Sequence, residues 1–184
     1  MKTKHMMLCA LFTALIAIGA FIKIPMPVMP MTLQFFFTTL AGILLGKRLG
    51  TASVALYVIL GLIGVPVFVS GGGPSYIFQP TFGYLIGFVL GTWVTGFVAY
   101  KEKRIPSTKR LFFACFLGLI VVYSCGILYY TLITHLLGDG VGLWALMLYS
   151  ISVDVPGDIV WCFVCVILGK RLIPIIANEL ELEV

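Results

Sequence analysis

At 184 residues, with 61% hydrophobic and only 10% charged side chains, a formal net charge of +5 and a mean hydropathy of +1.13, this chain has too few charges to cover a water-facing surface. Soluble domains carry about 25% charged residues. The composition therefore excludes a soluble enzyme or a nucleic-acid-binding module. It predicts an all-α integral membrane protein, with room for about six spans of 20–25 residues.

The chain begins with Lys2 and Lys4 ahead of an apolar run. That run lacks a small-residue cleavage site and ends in Lys23-Ile24-Pro25, so it reads as a retained first span, not a removed signal peptide. Six apolar segments follow one another at about 6–24, 33–46, 51–69, 82–100, 111–137 and 143–168. Breaks at Pro25-Met-Pro27-Val-Met-Pro30, Gly71-Gly72-Gly73-Pro74 and Gly138-Asp139-Gly140 separate alternate ends. Lys2, Lys4, Lys47, Arg48, Lys101, Lys103, Arg104, Lys109, Arg110, Lys170 and Arg171 then fall on one side, and Lys23 alone on the other. Positively charged loops stay cytoplasmic. The expectation is a six-transmembrane-helix bundle, multi-pass in the cell membrane, with both termini cytoplasmic. Residues 1–176 form the one domain. The acidic tail 177–184 is unlike what precedes it, reads as vector-derived, and is set apart from the fold.

Cys9, Cys115, Cys125, Cys162 and Cys165 all lie in apolar runs, where no disulfide framework would sit. The Cys162-x-x-Cys165 pair reads as small packing residues, not as a metal or redox site. His5 and His135 lie near opposite ends of predicted spans, so no metal site assembles from them, and no cofactor is expected. Gly83, Gly87 and Gly91 recur every four residues and mark a face for close helix packing. Ala10 and Ala14 do the same in the first span. Internal packing and docking of a second membrane protein are both open readings of these faces.

Catalytic motifs are absent. Gly42-Ile-Leu-Leu-Gly46-Lys47-Arg48 is one residue short of a phosphate loop, has Arg48 in place of Ser or Thr, and follows no strand. An intramembrane aspartyl protease needs two facing carboxylates on different helices. Asp154 and Asp158 share one segment. The chain is therefore expected not to be an enzyme, and no second intramembrane charge completes a proton relay.

Depth along each span singles out polar residues. Counted at 1.5 Å per residue from the nearest cytoplasmic charge, Asp158 lies roughly 18 Å in, and Gln34 and Tyr123 each roughly 20 Å. Trp161 lies lower at roughly 14 Å, and Tyr84 higher at roughly 25 Å. Asp154, at roughly 24 Å, reaches the outer interface and reads as the cap of a helix that carries Pro156 in its first turn. A deep carboxylate costs about 2.5–3.5 kcal/mol on insertion scales and marks a functional site. Asp158 is that residue.

Several stretches together resemble the BioY family of biotin transporters. They are Pro30-Met-Thr32-Leu-Gln34, Gly42-Ile-Leu-Leu-Gly46-Lys-Arg-Leu-Gly50, Gly61-Leu-Ile-Gly64-Val-Pro66-Val-Phe68 with Gly71-Gly72-Gly73, Pro80-Thr81-Phe-Gly83-Tyr84-Leu-Ile-Gly87-Phe88, Tyr123-Ser-Cys-Gly126 and Pro156-Gly157-Asp158. The resemblance spans nearly the whole chain in order. It implies a substrate-binding S component of an energy-coupling-factor (ECF) transporter, with biotin bound near the outer face. Its Ala-xxx-Ala face, matched by Ala10 and Ala14, would dock on a transmembrane coupling protein driven by two ATPase subunits. In that setting Asp158 would accept the ureido N–H groups, Gln34 and Tyr123 would complete the polar ring, and Tyr84 and Trp161 would pack on the bicycle. The amides of Gly72 and Gly73 would close over the ligand. One position departs from the pattern: the family often carries a lysine where this chain has Trp161. The alternative reading is an S component or solitary carrier for a different small vitamin-like substrate.

Overall fold

The computed structural model describes residues 3–24, 31–102, 105–137, 144, 147–148 and 150–180. The expected Pro25–Pro30 and Gly138–Gly140 breaks, Lys2, Lys103, Arg104 and tail residues 181–184 lie outside them. Among the described residues five long helices build the fold: α1 (Thr3–Phe21), α2 (Gln34–Leu62), α3 (Phe82–Ala99), α4 (Thr108–Leu137) and α5 (Val155–Leu180). Each contains a stretch long and apolar enough to cross a membrane. Two strands of two residues each, β1 (Lys23–Ile24) and β2 (Met31–Thr32), pair antiparallel as a β hairpin, with Lys23 opposite Thr32. A short 3₁₀ turn covers Pro74–Phe78.

Helix α2 is folded on itself. Gly46 takes φ 72° and ψ −176° in its middle. Such a conformation is open to glycine and costs other residues about 1–3 kcal/mol. Beyond it the chain turns back. A Cβ on Gly50 would sit 2.6 Å from the Ala41 carbonyl oxygen, and the Gln34 side-chain amide donates to the Tyr57 hydroxyl at 2.8 Å. Residues 34–45 and 47–62 are therefore two antiparallel limbs. The reversal at Gly46 falls where the second expected segment, 33–46, ends, whereas the third, expected to run to residue 69, stops at Leu62. Gly64 (φ 110°) and Pro66 divert the chain before residue 69. Gly46→Ala is expected to destabilise the detergent-purified protein by about 1–3 kcal/mol, visible as a lower Tm. An unchanged Tm would mean that the turn tolerates a side chain.

Helices α3 and α4 meet backbone to backbone. A Cβ on Gly87 would lie 2.8 Å from the Val122 carbonyl oxygen, and one on Gly91 3.0 Å from that of Gly118. Thr95 and Thr92 donate their hydroxyls to the carbonyls of Ala114 and Thr38, tying α3 to α4 and α2. Thr13 bonds the Ser53 carbonyl at 2.9 Å and anchors α1 on the second limb of α2. Cys9, Cys115, Cys162 and Cys165 are free thiols buried in these contacts.

The two ends of the bundle differ in charge. At one end Lys47 lies over the Phe97 ring, Tyr100 bonds the Ile43 carbonyl at 2.6 Å, and Ile43, Leu111 and Ile173 close around Gly169. Lys47, Arg48, Lys101, Lys109, Arg110, Lys170 and Arg171 belong to this end. The β hairpin, the 3₁₀ turn and Lys23 occupy the other. Leu90, Leu128, Phe163 and Ile167 stand outward, an apolar surface that water would not tolerate and lipid does.

Candidate ligand-binding site

At the hairpin end a cavity of about 820 Å³, open mouth included, opens between the helices. Met31, Thr32, Val69 and Ser70 wall it from the loops, and Gln34, Phe35, Tyr84, Leu85, Phe88, Val122, Tyr123, Asp154 and Asp158 from the helices. Tyr76 and Thr81 complete the lining, with their hydroxyls 3.4 Å apart.

The polar groups are held in place. Gln34 opens α2 and is 3% exposed. Its Nε2 donates to Tyr57, its Oε1 accepts from the Thr32 hydroxyl at 3.3 Å, and Tyr57 in turn donates to the Val67 carbonyl at 3.1 Å. The amide is thereby fixed in orientation, with one N–H and one lone pair left over. Asp158 is 7% exposed and accepts a 2.8 Å hydrogen bond from the Tyr123 hydroxyl at Oδ2. The Tyr84 ring meets the Tyr123 ring edge-on, with centroids 5.9 Å apart. That contact sets the angle at which Tyr123 approaches the carboxylate. No basic side chain lines the cavity among the described residues.

Gln34, Tyr84, Tyr123 and Asp158, expected from depth and resemblance, thus face one space. Gly72 and Gly73 do not line it. The Gly73 N–H donates to the Gly61 carbonyl at 2.7 Å, and Gly72 packs against the Val65 carbonyl, so these glycines brace the loop and Val69 and Ser70 reach the cavity instead. Trp161 also lies off the cavity, with its ring 5.1 Å from that of Phe36.

Asp154 corrects the sequence reading most. It was expected to cap a helix start. Asp154 does stand immediately before α5, which begins at Val155, but as the last residue of a π-helical turn, Ser150–Asp154, that runs into it. It lines the cavity, and its Oδ1 is buried with no hydrogen-bond partner among the described residues. The Tyr84 and Ser150 hydroxyls lie near each other and have no other partner among the described residues. Buried oxygens of this kind call for water or a ligand to complete them. The signal was available: residues i and i+4 share a helix face, so Asp154 stands directly above Asp158. Depth alone had separated the two.

A model of the BioY family matches residues 1–178. The chain belongs to the BioY family. Relatives within it include a "Probable biotin transporter BioY" from Pyrococcus horikoshii, 36% identical over 94% of this chain and 98% of that protein. A "Biotin transporter BioY" from Thermotoga maritima is 40% identical over 72% of this chain and 77% of its own length. The match to a "Probable biotin transporter BioY" from Lysinibacillus sphaericus reaches 47% identity, over 70% of this chain and 65% of the relative. Among solved structures, a crystal structure of the "S-component for biotin from an ECF-type ABC transporter" superposes with a TM-score of 0.81. It is 27% identical and covers 93% of this chain and 91% of that one. BioY membership sets the cavity within a transporter family, not an enzyme family.

Proposed function

We propose that this chain binds biotin with high affinity and takes it up across the cell membrane as the S component of an ECF transporter. The observation that carries this is the cavity itself, in which two buried carboxylates, Asp154 and Asp158, a tyrosine hydroxyl and a pinned glutamine converge inside an apolar wall in a BioY chain. Asp158 accepts the ureido N–H groups, since a charged acceptor strengthens such bonds. Tyr123 orients that carboxylate, Gln34 serves the ureido oxygen or a neighbouring N–H, and Tyr84 packs on the bicycle. Gly72 and Gly73 shape the loop over the ligand, and Trp161 packs on Phe36, next in sequence to the lining residue Phe35.

In the same reading the chain crosses the membrane six times, because each limb of α2 counts as one crossing. The basic end is then cytoplasmic and so are both termini. Energy comes from a transmembrane coupling protein and two ATPase subunits. Ala10 and Ala14 support this, since both stand on the outward face of α1 and leave its surface flat enough for a second helix. A different small vitamin-like ligand is the second reading, favoured by the lack of a cation among the described residues that line the cavity.

Titration of the detergent-purified protein decides between them. Saturating biotin is expected to raise Tm, because a ligand at 100 times its Kd stabilises the folded state by about 2.7 kcal/mol. No rise with biotin, together with a rise for another vitamin, would transfer the function to the second reading.

A further inference from the structure

The cavity accounts for the ureido and bicyclic parts of the proposed ligand, but among the described residues its lining holds no cation for the carboxylate. A carboxylate left at an apolar wall would have to stay hydrated or find a cation. Among the described residues, Lys23 is the lysine or arginine at the cavity's end of the bundle, and two independent contacts set it at the rim. In the β hairpin it lies opposite Thr32, which lines the cavity and bonds Gln34. Across the opening its Nζ reaches the carbonyl of Val69, another lining residue, at 3.5 Å. That long contact uses one of the three ammonium donors. The side chain is exposed, so its four-carbon stem is free to swing over the mouth.

We infer that Lys23 is the carboxylate-binding residue of this site, a rim cation that selects an anionic ligand tail while Asp158 holds the opposite pole. This rests on the biotin reading above. It sets a positive charge at the rim of a cavity whose walls carry two carboxylates, Asp154 and Asp158. A bare latch is the competing role: Lys23 would only tie the hairpin to the Val69 loop and would serve charged and uncharged ligands alike.

The test compares biotin with its neutral carboxamide, biotinamide, on the purified full chain. Wild type is expected to bind biotin about tenfold more tightly than biotinamide, as for a hydrogen bond to a charged group. Lys23→Met should lose that preference by weakening biotin alone, and Lys23→Arg should keep it. Equal weakening of both ligands by Lys23→Met would reduce Lys23 to a latch and overturn the assignment, as would no change in either. A wild type that binds neither ligand would overturn the biotin reading itself. A wild type that binds both equally would spare that reading and remove only the role of Lys23.

Discussion

Replacing Asp158 by asparagine is expected to weaken biotin binding about ten- to hundredfold, the worth of one or two hydrogen bonds to a charged acceptor. The side chain keeps its volume, but its amide presents one acceptor oxygen where the carboxylate has two, and Tyr123 loses a charged partner. Stability should change little or even rise, because the buried carboxylate carries a desolvation penalty that asparagine does not. Tyr123→Phe is the graded companion: it removes the hydroxyl and leaves Asp158 with no protein donor seen in the structure, for a smaller loss of about 1 kcal/mol. Isothermal titration with a parallel melting curve separates binding from folding. Wild-type affinity in Asp158→Asn would take this residue out of the site.

Gly87→Leu is expected to cost about 3 kcal/mol or more, at or beyond the upper end for overpacked cores. The reason is what the new side chain meets. Its Cβ alone would lie 2.8 Å from the Val122 carbonyl oxygen and 2.9 Å from the Val122 Cα. A backbone wall cannot rotate aside as a side chain can, so α3 and α4 must separate. Gly83 and Gly91 stand on the same seam, against Tyr129 and Val122. Leu90, on the outward face of α3, is the control, and Leu90→Ala should leave Tm nearly unchanged. Size-exclusion profiles after stepwise heating report the difference. A Gly87→Leu protein as heat-stable as Leu90→Ala would show that the two helices are not in backbone contact.

Part of the candidate site is legible in the chain because depth in a span is a one-dimensional quantity. Counting residues from the nearest basic group brought Gln34, Tyr123 and Asp158 to one level, and these side chains line one cavity. What depth cannot supply is azimuth. Trp161 lies one turn from Asp158 in sequence, yet its ring rests on Phe36. Asp154 lies one turn above Asp158 and shares its face, yet it read as a cap. Loops are less legible still, since their amides are satisfied by whatever backbone passes near. Gly73 spends its N–H on Gly61, a partner that no local pattern announces.

The sequence by itself determined the solvent and the polarity of this protein. Its composition requires lipid, its basic residues mark one end, its glycine period marks a helix seam, and its deep aspartate marks a site. Only the tertiary structure decided that α2 doubles back at Gly46, that a second carboxylate enters the cavity, and that Lys23 reaches its rim. The physical reason is one of range. Hydrophobicity, charge and helical rise act residue by residue and can be summed along a chain, whereas a reversal, a shared face or a cross-loop contact depends on which surfaces pack together.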